Sequence, residues 1–333
     1  QNGMFNIRTY ELKPHDKDFY ATMELPVIYN PDSQKICERW LQFLKETIQH
    51  PSVIAQVQEY MGYCLTRETF AEKALLLLGD GGNGKSRFLN VLRKLVGEKN
   101  TVAIPIPELN TPQGRGCLFG KLVNVCGETQ TSGALDSTWF KFIVSGDDIN
   151  GKYLYHDIFS FKPFCKMVFA INKMPKILDN TDGFFRKILP VQFKAKFTSK
   201  NADVFLDQKL EAELSEIFQW ALVGLHRLRE QGHFTEAKET DDLILEQRRD
   251  NNPVLCFVEE ICDLNEAYSI RKNDLYKAYR EYCFGRGYNP LGERNFFQEL
   301  YIVKEKQIRA YRPEINKVRE QHVKGVSLKT EAA

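Results

Sequence analysis

The octapeptide Gly79-Asp80-Gly81-Gly82-Asn83-Gly84-Lys85-Ser86 holds the residue types that phosphate chemistry needs, at the spacing G-x-x-x-x-G-K-S. Its glycines let the backbone turn tightly and aim several N–H groups at one phosphate. A helix starting near Lys85 adds its positive end. Lys85 can then reach the β- and γ-phosphates of ATP, and the Ser86 hydroxyl can bind Mg²⁺. The expected cradle comprises Gly79, Gly81, Gly82, Asn83, Gly84, Lys85, Ser86 and Arg87. Such a loop does not by itself separate an ATPase motor from a kinase or a GTPase.

Three further side chains sit where they can act on a triphosphate. Glu128 follows the apolar run Leu122–Cys126. At the carboxyl edge of an open α/β sheet, where ligands bind, it can orient and deprotonate water. The competing reading is a surface glutamate in a loop. Asn172 ends the apolar run Met167–Ile171, and a neutral amide there can hydrogen-bond both γ-phosphate and attacking water. Alone, an asparagine after a strand is usually a turn residue. Arg186, in "TDGFFRKILP", can offer its charge to a neighbour's γ-phosphate. An ordinary surface ion pair is the alternative, and Lys187 is the competing candidate.

These side chains need strands to carry them. Strands are expected at Ala74–Leu78, Thr101–Ile106, Leu122–Cys126, Met167–Ile171 and Ile188–Phe193, with helices at Lys85–Val96 and Ser137–Val144. Such alternation predicts an α/β core with a mostly parallel sheet. Helical spacing over 33–65, with Trp40, Phe43, Leu44, Val57 and Tyr60, predicts a collar before the first core strand. Residues 203–230 also read as helical. The "NGMFNIRTYEL" segment is strand-like. Helices near 254–262, 272–283 and 293–300, followed by a basic β-prone tail, suggest a winged-helix module; a generic helical cap fits equally. The expected organisation is a linker and helical collar over 1–70, a P-loop core over 71–235 and a winged-helix-like domain over 236–333.

Lysine plus arginine number 46 against 44 aspartates and glutamates, so net charge does not mark a nucleic-acid binder. Basic residues do gather from Leu300 onward, including Lys304, Lys306, Arg309, Arg312, Lys324 and Lys329, and a solvated surface is the bland account of them. The eight cysteines lie in no Cys-x-x-Cys pair, which excludes a readable zinc site and fits reduced thiols in a cytoplasmic setting. No run is long enough to span a membrane, and no signal peptide is visible. The chain starts at Gln1, which suggests a fragment of a longer polypeptide.

"GDGGNGKS", "FAINKMP" and "TDGFFRK", in this order and compact span, resemble superfamily 3 helicases, and among them the poxvirus- and phage-type primase-helicases. "NGMFNIRTYELKPH", "QEYMGYCL" and "LYKAYREYCFGRGYNPLGERNFFQEL" extend the likeness over nearly the whole chain. The resemblance implies an AAA+-like ATPase that forms a ring, usually a hexamer, with its sites between subunits. It implies 3′ to 5′ movement on single-stranded DNA, opening of forked DNA, and use of ATP and Mg²⁺. By position, Lys85 and Ser86 match the Walker A pair, Glu128 the Walker B acid beside the metal, Asn172 the motif C sensor, and Arg186 the finger. The segment "KFIVSGDDINGKYLYHDIFSFKPFCK" matches the region of a pore-lining hairpin. There Lys152, His156 and Lys162 can meet phosphates, and Tyr153, Tyr155 and Phe159 can pack together or stack on bases. Two departures stand out. Gly127 replaces the acid that usually precedes the Walker B glutamate, and Arg186-Lys187 replaces an Arg-Arg pair. A primase or polymerase module would lie elsewhere on the parent polypeptide, in a host cytoplasm if the source is viral. The rival reading is a nucleotide-switched DNA-binding assembly factor, which would bind DNA without unwinding it.

Overall fold

The computed structural model describes the chain except residues 128–136, 175–181, 199–202, 251, 304–306, 316–317, 320 and 330–333. Near the start, β1 (Met4–Asn6) pairs antiparallel with β2 (Glu11–Lys13), and the Phe5 ring packs on Tyr29 and Phe218. The helical spacing over 33–65 resolves into two helices, α1 (Glu38–Thr47) and α2 (Pro51–Tyr63). Pro51 sets the break, because a proline lacks the N–H to continue a helix yet suits a helix start.

The core follows as β3 (Ala74–Leu78), α3 (Lys85–Val96), β4 (Thr101–Val102), α4 (Pro112–Gly116), β5 (Val123–Cys126) and α5 (Thr138–Ser145). Then come β6 (Ile149–Lys152), β7 (Ile158–Phe161), β8 (Lys166–Ile171), α6 (Asp182–Phe185) and β9 (Ile188–Gln192). The sheet order is β4-β5-β8-β3-β9, and every pairing in it is parallel. Insertion of β8 between β3 and β5 gives the AAA+-like arrangement. The strand expected over 101–106 is shorter, because the chain turns at Pro105 into a 3-10 segment, Ile106–Asn110. Beyond Val102 the Asn124 side chain replaces the ladder. Its Oδ1 accepts from Ile104 N at 2.7 Å and its Nδ2 donates to Ile104 O at 3.0 Å.

Alternate strand residues feed two cores. Leu75, Leu77, Val125, Val168 and Val191 join Trp40, Tyr60, Phe88 and Leu92 on one face. Leu76, Leu78, Phe169 and Ile171 join Phe140, Ile143 and Phe184 on the other. A strand buried on both faces reads as a continuous apolar run, which is why these strands were visible in the sequence.

Beyond β9 lie α7 (Leu206–Ala212), α8 (Leu214–Gln231) and α9 (Lys238–Asp250). Helices α2 and α8 meet backbone to backbone. A Cβ on Gly62 would fall 2.2 Å from Ala221 O, and one on Gly224 would fall 2.4 Å from Gln58 C. Beside this crossing the fully buried Glu59 accepts from Arg227 Nε at 2.6 Å and from Thr235 N at 2.9 Å. Pairing of that kind is what permits a carboxylate inside a core. Lys166, also buried, donates to Thr66 O at 2.7 Å and Phe164 O at 2.9 Å and lies over the Tyr63 ring. Burial pushes its amine down to about 8.

The chain divides into two compact units, Gln1–Ile244 and Leu245–Ala333. The second contains α10 (Pro253–Ile261), β10 (Cys262–Arg271), α11 (Lys272–Arg286), α12 (Glu293–Val303), β11 (Arg309–Tyr311), β12 (Glu314–Ile315), β13 (Val318–Arg319) and β14 (His322–Leu328). Its antiparallel sheet runs β10-β14-β11, and its core holds Phe257, Tyr279, Phe296 and Leu300. Helix, strand, two helices and a strand pair closed on the first strand make the winged-helix-like plan. Strand β10 was missed in the sequence: its solvent side carries Asp263, Glu266 and Ser269, and it follows α10 without a turn signal.

Gly224→Ala should lower the unfolding free energy by about 1–3 kcal/mol, the usual cost of overpacking. Urea denaturation is the measurement, and an unshifted midpoint would refute the backbone crossing.

Candidate nucleotide site

β3 delivers the chain to a loop that only glycines can follow. Gly79, Gly82 and Gly84 all have positive φ, at 142°, 76° and 99°. Space is short as well: a Cβ on Gly79 would lie 2.2 Å from Asn83 Nδ2, and one on Gly84 3.0 Å from the Phe43 ring. Gly81 has an ordinary φ, and a Cβ there would meet nothing within 4 Å. The segment after β9 straps the loop from outside, with Phe193 N donating to Leu78 O at 2.8 Å and Phe197 N to Gly82 O at 2.7 Å.

Lys85 is buried at the first turn of α3. Its Nζ donates to Gly79 O, to Asp80 O at 3.2 Å and to Asn83 Oδ1 at 3.3 Å. A cation is thus held inside the loop by weak acceptors that a phosphate would outcompete. Asn83 Nδ2 is buried without a hydrogen-bond acceptor, an orphan donor in the same cradle. Ser86 is exposed on the first turn of α3. The cradle therefore fits a nucleotide polyphosphate, and Ser86 suits a divalent metal beside it. Among the described residues no cluster of three or more His, Cys, Asp or Glu is placed to hold a metal ion. Arg87 is turned to another task, an ion pair with Asp207 on α7; Lys94 pairs likewise with Glu211. Together they fasten α3 to α7.

Glu128 lies outside the described residues. The strand that leads to it, β5, ends at Cys126 opposite Phe169 of β8. Ile171 stands opposite Leu78, so Asn172 and Gly79 leave their strands side by side, and Asn172 is exposed there. Arg186 lies at the other edge. Ile188 pairs with Ala74, the first residue of β3, so the five residues of β3 separate Arg186 from the loop by ~16 Å. Arg186 is exposed. Its competitor Lys187 is ion-paired with Glu72.

β6 and β7 form the hairpin expected between α5 and β8, with Ile149 opposite Phe161 and Lys152 opposite Ile158. It rises from the Arg186 edge of the sheet, since β8 begins five residues after Phe161, at Lys166 opposite Val123. Lys152 ends β6 and His156 lies in the turn that follows it, while Lys162 lies at the base, ~13 Å away along the strands, 3.9 Å from Asp148. The aromatics divide between two roles. Phe159 stacks on Phe161 at 5.5 Å and meets Phe119 edge-on at 5.5 Å, so it supports the hairpin. Tyr155, with φ 63° and 94% of its surface exposed, projects from the tip.

Two features escaped the sequence reading. The buried Arg115 donates to Asn150 O at 2.7 Å and Leu109 O at 3.0 Å and stacks on Trp139 at 3.7 Å. Beside it Gly116 and Gly151 touch, with only 2.8 Å available to a Cβ, so the hairpin is anchored to α4. The "GRG" at 114–116 was the one available signal. His50, Lys194 and Glu239 also meet beside the loop. Lys194 Nζ is 2.7 Å from His50 Nε2, and His50 Nδ1 is 2.8 Å from Glu239 Oε1. Nothing in the sequence joins residues so far apart.

Gly84→Ala should cost about 1–2 kcal/mol from left-handed strain alone and weaken ADP binding at least tenfold. Gly81→Ala should change stability by less than about 0.5 kcal/mol. Thermal unfolding and calorimetric titration of both variants check this; equal effects would overturn the loop assignment.

Comparison with known proteins agrees with the geometry. Residues 77–187 match a family of unknown function (DUF5906), residues 249–329 the Poxvirus D5 protein-like family, and residues 1–49 the D5 N terminal like family. A protein of Acanthamoeba polyphaga mimivirus named "Putative helicase L207/L206" is 26% identical over 169 residues, 46% of this chain and 17% of that protein. The chain thus spans about a sixth of that relative's length. Two apo structures of the NrS-1 C-terminal region share the fold. One has a TM-score of 0.59 at 11% identity, covering 90% of this chain and 79% of the other; the second has 0.55 at 12%, covering 90% and 78%. The P-loop core thus lies between two segments similar to the D5-type families, and part of the chain is similar to a putative viral helicase.

Proposed function

We propose that this chain is the motor portion of an ATP-dependent replicative DNA helicase, a hexameric ring that moves 3′ to 5′ along single-stranded DNA. The carrying observation is the split between edges. The phosphate loop and Asn172 share one edge of a parallel sheet, while Arg186 and the hairpin share the other. An arginine ~16 Å from its own loop is suited to serve a neighbour's loop.

In this reading Lys85 exchanges its loop carbonyls for the β- and γ-phosphates of ATP, and Ser86 holds Mg²⁺, which neutralises charge on the phosphate oxygens. Glu128 orients the attacking water, and Asn172 reports the γ-phosphate. Arg186 of the next subunit stabilises transition-state charge, which is worth about 10³-fold or more in rate. Arg186 and the hairpin leave the same edge, so nucleotide state at one seam is passed to the Lys152–His156 tip, which grips the DNA backbone. Lys162 at the hairpin base takes a peripheral phosphate contact. A primase or polymerase module is expected on the parent polypeptide, and action in the cytoplasm, that of a host if the source is viral, fits the reduced cysteines.

The basic wing favours one other reading. Lys324 over Tyr311, with Arg294 and Gln298 exposed on α12, suits duplex binding by the second unit. ATP would then only organise an assembly.

Unwinding of a forked duplex with ATP and Mg²⁺ separates the two. The motor reading expects strand separation by wild type and none by Lys85→Ala. DNA binding without separation would instead support the assembly factor. Lys85→Ala and Arg186→Ala should each be inactive as ATPases, yet mixing them should restore part of the activity, because each supplies what the other lacks. No recovery on mixing would count against an arginine acting between subunits.

A further inference from the structure

We propose that His50, Lys194 and Glu239 form a ribose-binding subsite that recognises the 2′- and 3′-hydroxyls of the nucleotide held by the phosphate loop. The proposal rests on the nucleotide reading above.

Position carries the first part of the argument. In the sheet β3 lies between β8 and β9. Asn172 flanks the loop on the β8 side, so a triphosphate whose reacting end faces Asn172 directs its nucleoside toward β9. That is where the three residues meet. A Cβ on Gly84 would fall 3.1 Å from Thr47 Cγ2. Thr47 O accepts from Lys194 N at 2.8 Å, and Lys194 Nζ reaches His50. The Lys194 backbone is thus tied to the loop through Thr47, and its side chain carries the ammonium to His50.

Chemistry carries the second part. An ammonium has only donors, so Lys194 Nζ donates to His50 Nε2, and the other ring nitrogen, Nδ1, faces Glu239. Ser52 Oγ lies 3.4 Å from the other carboxylate oxygen. Its own backbone N–H holds the Glu239 carboxyl below the usual range. About a third of the His50 and Glu239 side chains remains exposed. That leaves carboxylate lone pairs and spare ammonium N–H groups on either side of the His50 ring, a mixed acceptor and donor set. A vicinal diol, whose hydroxyls both donate and accept, satisfies both at once. An aliphatic or purely anionic ligand would leave one of them unmatched.

Calorimetric titration with Mg²⁺ present tests this using ADP, 2′,3′-dideoxy-ADP and inorganic pyrophosphate. Wild type should bind ADP about tenfold more tightly than the dideoxy nucleotide, the worth of one hydrogen bond to a charged group. Glu239→Ala should weaken ADP by a similar factor and leave the dideoxy nucleotide and pyrophosphate unchanged. Equal wild-type affinity for ADP and dideoxy-ADP overturns the subsite while leaving the phosphate loop intact. Lys85→Ala should lose ADP and pyrophosphate together; if it binds both as wild type does, the underlying nucleotide reading falls instead. The wild-type comparison decides the matter even if the Glu239 variant does not fold.

Discussion

Every strand of the central sheet runs in the same direction, and the placement of the functional groups follows from that. Parallel pairing puts all carboxyl ends on one edge and all amino ends on the other. The phosphate loop and Asn172 therefore emerge together, while Arg186 and the base of the hairpin emerge together at the far side. No local adjustment brings Arg186 to its own loop, because the intervening strand is stiff and buried on both faces. That separation is what the proposed pairing of Arg186 with a neighbour's loop rests on.

The loop itself is held as much by packing as by glycine. Phe43 and Thr47 of α1 close on Gly84, and residues 193–197 lie along its outer side. The collar is thus part of the wall of the phosphate site, sharing one core with β3 and α3. Its own rigidity comes from the glycine crossing of α2 and α8 and from the buried Glu59–Arg227 pair. Those contacts hold Thr47 and His50 in place.

The hairpin shows a similar division of labour. Its inner face is aromatic and packed on Phe119, and β6 is pinned to α4 by Arg115 at Asn150 and by Gly116 against Gly151 and Lys152. Residues 153–158 at the tip all reach solvent.

Sequence alone determined the strands, the phosphate loop and α3, because their signals are local. A strand buried on both faces is an apolar run, α3 repeats its apolar residues at helical spacing, and left-handed backbone calls for glycine. The same local logic located Asn172 and Arg186 at strand ends, whereas the hairpin before β8 was expected from the family resemblance. It could not show that the β4 ladder passes to the Asn124 side chain, that β10 extends α10 as a strand, or that Arg87 is paired with α7. Nor could it separate Phe159, which supports the hairpin, from Tyr155, which projects from it. The meeting of His50, Lys194 and Glu239 was equally hidden. These depend on contacts between residues tens to nearly two hundred positions apart, and such contacts leave no periodicity in the chain. Only the packed fold decides which polar side chains find partners and which remain turned toward a ligand.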